Sequence, residues 1–119
     1  MKYLFLLHTD DGPPEDRASA EYARTYAEYN AAMVAMAEAG VLIECAPLRP
    51  WTSATTVRVR DGETILTDGP AAEIKEQVGG YTLVECADLD EALKWAATIP
   101  AAKIGSVEVR SVVAVQPPD

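Results

Sequence analysis

Histidine is the residue type whose ordinary titration range includes neutral pH, and this chain has one, His8. It stands where an apolar run meets a polar stretch rich in Pro and Gly, a place where general bases are often held. With Asp10 or Asp68 accepting one ring hydrogen and orienting the other nitrogen, His8 can move a proton on a bound substrate. The plainer reading is a strand-end histidine hydrogen-bonded to backbone. Asp68 precedes Gly69-Pro70, so its carboxylate suits a local turn that Pro70 stiffens. The same rigid turn can also present that carboxylate to a cavity as acid, base or acceptor. Arg58 and Arg60, with Arg110, carry forked donors suited to a carboxylate substrate, and Tyr81 or Trp51 can stack on a ring. Glu44, Glu85 and Glu108 offer the same arginines internal partners. Glu73, Lys75 and Glu76 either rim a ligand or are solvated surface charges.

These side chains need elements to hold them. The apolar run through Leu4-Phe5-Leu6-Leu7 reads as a buried first strand, followed by a loop. Residues 19–39 contain no Gly or Pro and are rich in Ala, Glu and Met, which predicts a helix capped by Ser19 and stopped by Gly40. Its stripe of Tyr22, Tyr26, Tyr29, Met33, Met36 and Ala37 is expected to lie on a sheet. Residues 41–46 read as a strand ended by Pro47. The alternating segments 55–60 and 63–67 flank Asp61-Gly62, a hairpin signal. Gly79-Gly80 serves a bend into a strand over 81–86. Asp88 then caps an acidic helix start, with Leu89, Leu93 and Ala96 facing the sheet and Pro100 ending it. Residues 106–113 alternate as a final strand.

That order describes an α+β fold, a ferredoxin-like split βαβ plan with an antiparallel sheet, an inserted β-hairpin and two helices on one face. Several strands are apolar on both sides, as in Leu4 to Leu7 and Val41 to Ile43, so the uncovered face is not built for bulk water. Pairing of two copies through that face is the simplest remedy, which makes a homodimer the expectation.

Composition sets the outer bounds. The chain has 119 residues, 49% of them apolar, enough for a single domain that needs neither disulfide nor metal to fold. Ten basic against nineteen acidic residues give a net charge of -9, a field that repels phosphate backbones and anionic lipid, so nucleic acid and membrane surfaces are poor partners. No segment approaches the roughly 20 apolar residues that span a bilayer, and the N-terminal run lacks a small-residue cleavage site, so a cytoplasmic protein is expected. Cys45 and Cys86 are far apart and are expected to be buried free thiols. One His and two separated Cys offer no recognised metal-ligand spacing. Neither a phosphate-cradling glycine loop nor a nucleophile elbow is present, so no cofactor is expected.

The segment Thr67-Asp68-Gly69-Pro70-Ala71-Ala72-Glu73-Ile74-Lys75-Glu76-Gln77-Val78-Gly79-Gly80-Tyr81 resembles the signature of the YCII-related proteins, in their DGPF-domain branch. There an Asp-Gly-Pro-Phe turn precedes a Glu-x-Lys-Glu-x-x-Gly-Gly run and a Tyr or Phe. Ala39-Gly40-Val41-Leu42, Leu89-Asp90-Glu91-Ala92 with Trp95-Ala96, and Val107-Glu108-Val109-Arg110 are similar to further landmarks of that family. The resemblance implies a ferredoxin-like subunit and a dimeric α/β barrel in which two sheets meet. Some barrel relatives isomerise or eliminate from small cyclic substrates and others bind small molecules, so fold alone does not choose the activity. It also implies a context near extracytoplasmic-function sigma factors, hence two readings. One is a cofactor-free enzyme that transfers a proton on a small cyclic or carboxylated substrate, with His8 and Asp68 converging on a pocket. The other is a non-enzymatic ligand sensor or accessory protein in a sigma-factor-linked circuit, which calls for an exposed apolar patch beyond the dimer face. Two departures bear on the site. Ala71 stands where the family usually has Phe, removing an aromatic wall, and residues 19–39 contain no His for the His-Asp pair proposed in shorter YCII proteins.

Overall fold

A computed structural model describes residues 1–10, 20–72 and 74–118. Their elements run in the order β1 (Lys2–Thr9), α1 (Ala20–Glu38), β2 (Leu42–Pro47), β3 (Thr55–Arg60), β4 (Glu63–Asp68), β5 (Gln77–Glu85), α2 (Leu89–Ala96), α3 (Ala101–Ile104) and β6 (Ser106–Ser111), with a 3-10 turn at Trp51–Ser53 between β2 and β3. Four strands form one sheet in the order β2-β5-β1-β6, all pairs antiparallel, while β3 and β4 pair only with each other. Setting the hairpin aside, the first strand lies between the last two and the second lies at the edge, which is the ferredoxin-like order.

Strand alternation sorts β1 between two faces. Tyr3, Phe5, Leu7 and Thr9 are buried, while Leu4, Leu6 and His8 are only half-buried. On the buried face, Tyr3, Phe5, Leu7 and Val84 meet Ala32 and Met36 of α1 and Ala92 and Ala96 of α2, and Ile99 and Ala101 complete the cluster. Phe5, Met36, Val84 and Ile99 are fully buried, each worth about 1.5–3 kcal/mol of apolar transfer. This cluster fixes the layer order and leaves the opposite sheet face open.

Local chemistry explains the ends of the elements. Asp61 and Gly62 both have positive φ (52° and 78°), the pairing required by a type I′ hairpin turn. Helix α1 closes in a Schellman arrangement: Gly40, at φ 77°, donates to the Ala37 carbonyl and Val41 donates to Met36. Asp88 caps α2 by accepting from the Glu91 amide at 2.9 Å, and the Glu91 carboxylate accepts from the Ala87 amide at 2.9 Å. The expected cap of α1, Ser19, lies outside the described residues.

Several expectations are corrected. Tyr22 and Tyr26 are 39% and 62% exposed, so the seated part of α1 is its later half, through Tyr29, Ala32, Met33 and Met36. Leu89 and Leu93 of α2 are exposed, because this helix seats through the small side chains of Ala92 and Ala96, which let its backbone approach the sheet. Pro100 does not end α2. It begins the short helix α3, where its φ of -53° suits a first turn. Cys86 is buried but Cys45 is exposed, since β2 is an edge strand. Burial pushes the Cys86 thiol up from its ordinary value.

Two register shifts re-aim side chains. Leu42 pairs with Val84 and Glu44 with Leu83, so Ile43 is an extra residue. The shift brings Glu44 to the open face, where its carboxylate accepts from the Tyr81 hydroxyl at 3.0 Å. That hydrogen bond, reinforced by partial burial and the negative charge, raises the Tyr81 phenol above its ordinary value. In the other shift Leu7 pairs with Gly80 and His8 with Val78, leaving Gly79 as the bulge. The Gly79-Gly80 pair thus lies inside β5 and breaks its register rather than leading into it.

On the other side of β1, just before β6, Gly105 packs so closely that an added Cβ would run into the His8 carbonyl oxygen. Because the obstacle is backbone, Gly105→Ala is expected to cost about 1–3 kcal/mol in chemical denaturation and to shift the backbone amide resonances of His8 and Thr9. The Glu44 contact gives a separate expectation. The Tyr81 phenol ionises later than an ordinary tyrosine in an ultraviolet pH titration, and Glu44→Gln moves it back. Since its folded value is raised, the stability it contributes is complete below the ordinary tyrosine range and is lost as pH rises through the folded value.

Candidate functional site

The end of β1 opens onto a cleft of about 530 Å³, within the range of small-molecule sites. It is bounded on one side by His8 and Val78, which the Gly79 bulge places opposite each other on the sheet. Leu48, Arg49, Pro50, Trp51 and Ser53 of the β2–β3 connection form a second side. Pro70, Ala71, Ala72 and Ile74, just beyond β4, form the third.

Each wall is tied in place. The Leu48 amide donates to the Gly79 carbonyl at 2.9 Å, fastening the connection after β2 to the bulge. Ser53 Oγ donates to the Pro50 carbonyl at 2.7 Å. Gly69, at φ 103°, donates its amide to Ala54 at 2.7 Å, and the Thr56 hydroxyl donates to the Gly69 carbonyl at 2.7 Å. The turn after Asp68 is therefore locked to the base of the hairpin. Gln77 Nε2 donates to the carbonyls of Ala72 and Ile74, both at 2.8 Å, and so holds the last wall against β5.

His8 Nε2 lies 3.0 Å from Glu108 Oε1, and the His8 side chain is 16% exposed. A carboxylate can only accept at neutral pH, so Nε2 carries the hydrogen and Nδ1 keeps the lone pair in the neutral ring. Arg110 Nε stands 4.0 Å from the other Glu108 oxygen. A second depression, shared by His8 and Ile74, is lined by Glu76, Ser106, Val107 and Glu108. The imidazole therefore stands between a mainly apolar cleft and an acidic depression.

The other residues singled out in the sequence occupy different places. Asp68 is the exposed last residue of β4, opposite Thr55, and is not among the described residues lining the cleft. Asp10 is 3.8 Å from Lys75 Nζ, and Lys75 is 85% exposed. Arg58 pairs with Ile65 on the hairpin, while Arg60 pairs with Glu63 and donates to its neighbour Val59. Tyr81 lies on the open face beside Glu44. His8 is thus brought together with Glu108, not with Asp10 or Asp68, and its ring partner is a carboxylate rather than backbone. Trp51 does line the cleft, as does Ala71, so the missing aromatic side chain of the signature leaves space in this site. Glu73 lies outside the described residues.

Sequence reasoning did not connect Glu108 to His8, nor single out Arg49. A signal existed for the first: the ferredoxin-like order puts the last strand beside the first, and alternation puts Glu108 and Arg110 on one face. Arg49 sits in an irregular segment between prolines, where no periodicity identifies it.

A family model for the YCII-related domain matches residues 1–116. An uncharacterized protein of Rhizobium meliloti (strain 1021) is 40% identical over 119 residues, covering 98% of this chain and 96% of its own. Among solved structures, 5-chloro-2-hydroxyhydroquinone dehydrochlorinase from Burkholderia phenoliruptrix AC1100, in complex with 2,5-dihydroxybenzoquinone, superposes with a TM-score of 0.52 at 16% identity, covering 95% of this chain and 94% of that one. That likeness is one of fold, and it agrees with the strand order and helix placement found here. The match along nearly the whole length identifies the chain as a member of the YCII-related family.

Proposed function

We propose that this protein binds a small cyclic molecule in the cleft at the end of β1 and transfers a proton on it, with His8 as the base and Glu108 as its positioning partner. The observation that carries this reading is the single imidazole, oriented by a carboxylate through Nε2 and lining a cleft of ligand size. Nδ1 would take a proton from a carbon next to a carbonyl, the C–H electron pair forming a C=C bond as the carbonyl π pair moves onto oxygen to give an enolate. When the oxygen pair returns to re-form the carbonyl, the enolate takes the proton back at a carbon or expels a leaving group with its electron pair. The imidazolium formed is stabilised by Glu108, whose side chain also reaches the second depression, a route for the proton to solvent. The name of the dehydrochlorinase that shares the fold describes an elimination of this class; the support it lends is an analogy of fold.

A homodimer belongs to the same proposal. The open sheet face carries half-buried Leu4, Leu6, Tyr81 and Leu83 among Glu44, Glu108 and Arg110. A second copy on this face would exclude water from both sets of side chains and place the clefts between subunits. The accessory reading draws on a different observation, the exposed Leu89 and Leu93 on the helical side and Val57, Val59 and Leu66 on the hairpin.

The test is hydrogen–deuterium exchange into a panel of cyclic ketones and hydroxyquinones in heavy water, followed by NMR. His8→Asn is expected to reduce exchange by about 10²-fold or more, Glu108→Gln to reduce it less, and Asp68→Asn to leave it near wild type. Loss with Asp68→Asn but not with Glu108→Gln would overturn the pairing. Absence of exchange with every compound, together with a protein partner that still binds the His8→Asn, Glu108→Gln double variant, would favour the accessory role. Sedimentation equilibrium at micromolar concentration is expected to give a dimer, and Leu6→Arg a folded monomer. A monomeric wild type would remove the barrel from the account.

A further inference from the structure

We infer that Arg49 is the anion-binding residue of the cleft, and that the ligand class is a planar ring carrying one negatively charged group, stacked on Trp51 with that group at the Arg49 guanidinium. This deepens the proposed function and rests on its assignment of the cleft. The chain carries nineteen acidic residues against ten basic ones, yet no Asp or Glu occurs among the described residues that line the cleft, and Arg49 is the one permanently charged side chain there. The absence of a carboxylate contrasts with the adjacent depression, which holds both Glu76 and Glu108. A cleft built for a cation would use the charge the chain has in abundance.

The surroundings of Arg49 define the rest of the ligand. Trp51 is 43% and Ile74 52% exposed, large apolar side chains left open to solvent on two different walls of the cleft. Pro50, Pro70, Ala71 and Ala72 add surfaces without side-chain donors. A flat ring inserted between such walls is stabilised by apolar burial and by stacking on the indole. A guanidinium holds a carboxylate, enolate or phenolate through forked donors and is less strongly hydrated than an ammonium, so it suits an apolar neighbourhood. With the charge held at Arg49, the ring lies in the cleft that His8 also lines, so that Arg49 would set which compounds bind and His8 would act on those that do.

The probes are benzoate and benzamide, matched in shape and different in charge, titrated into the ¹⁵N-labelled full chain. Benzoate is expected to shift the Trp51 indole N–H and the backbone amides of Ala71, Ala72 and Gln77, and to bind at least about tenfold more tightly than benzamide. Arg49→Gln should bring benzoate down to the level of benzamide. Arg49→Lys, which keeps the charge and loses the fork, should fall between. Ala71→Phe should weaken both probes by filling the cleft. Equal binding of the two probes, or a benzoate preference that survives Arg49→Gln, would overturn the role of Arg49 while leaving the cleft as the ligand site. If neither probe moves any cleft resonance, the cleft assignment falls as well, and this inference with it.

Discussion

The backbone of Gly105 lies against the His8 carbonyl with no room for a side chain between them, and the rest of the site depends on that contact. It brings the start of β6 against the end of β1 and so puts Glu108 in register with Leu6, one pair beyond Leu7 and Val107. From there the Glu108 carboxylate reaches the imidazole of His8. On the other flank of β1, the Gly79 bulge turns Val78 to the same face as His8. Two glycines, doing different things, thus set the position of one histidine: one permits close backbone approach, the other absorbs an extra residue in the ladder.

The helices act at a distance from this site. By burying Phe5, Leu7 and Val84 against Ala32, Met36, Ala92 and Ala96, they hold the sheet from behind and leave its other face free. The β2–β3 connection and the segment after Asp68 then add walls to the free face's end rather than extra sheet. Their attachment is by backbone hydrogen bonds and the Thr56 and Gln77 side chains, so the cleft depends on local geometry more than on core volume. The result separates tasks: a rigid two-layer scaffold, and a cleft whose chemistry is set by the few side chains on its rim.

Much of the scaffold was legible because its signals are local. Asp61-Gly62 encodes its turn in two residues, and Asp88 encodes its helix start in four. The order of the elements correctly put α1 and α2 together on one face of the sheet, which leaves the other face open. Helix orientation was harder to read. Tyr22 and Tyr26 share a stripe with Tyr29, Met33 and Met36 but precede the half of α1 that is seated, whereas in α2 the small Ala92 and Ala96 take the seats nearest the sheet and leave Leu89 and Leu93 exposed. The site itself was only half legible. His8 and the turn at residues 68–71 were found from residue type and signature, whereas Glu108 lies 100 residues from His8 and meets it only through strand register. Asp68, two residues before Pro70, the first of this segment to line the cleft, illustrates how a motif can mark a site without each of its side chains entering it.

The proposed proton transfer requires that Glu108 hold the Nε2–H of His8 and leave Nδ1 as the basic atom. Because the chain has one histidine, its ring can be observed without overlap by ¹⁵N and ¹H NMR at neutral pH. A ring N–H signal on Nε2 that exchanges slowly with water and is lost in Glu108→Ala is expected. A hydrogen carried on Nδ1, or an Nε2–H signal unaffected by removal of Glu108, would contradict it.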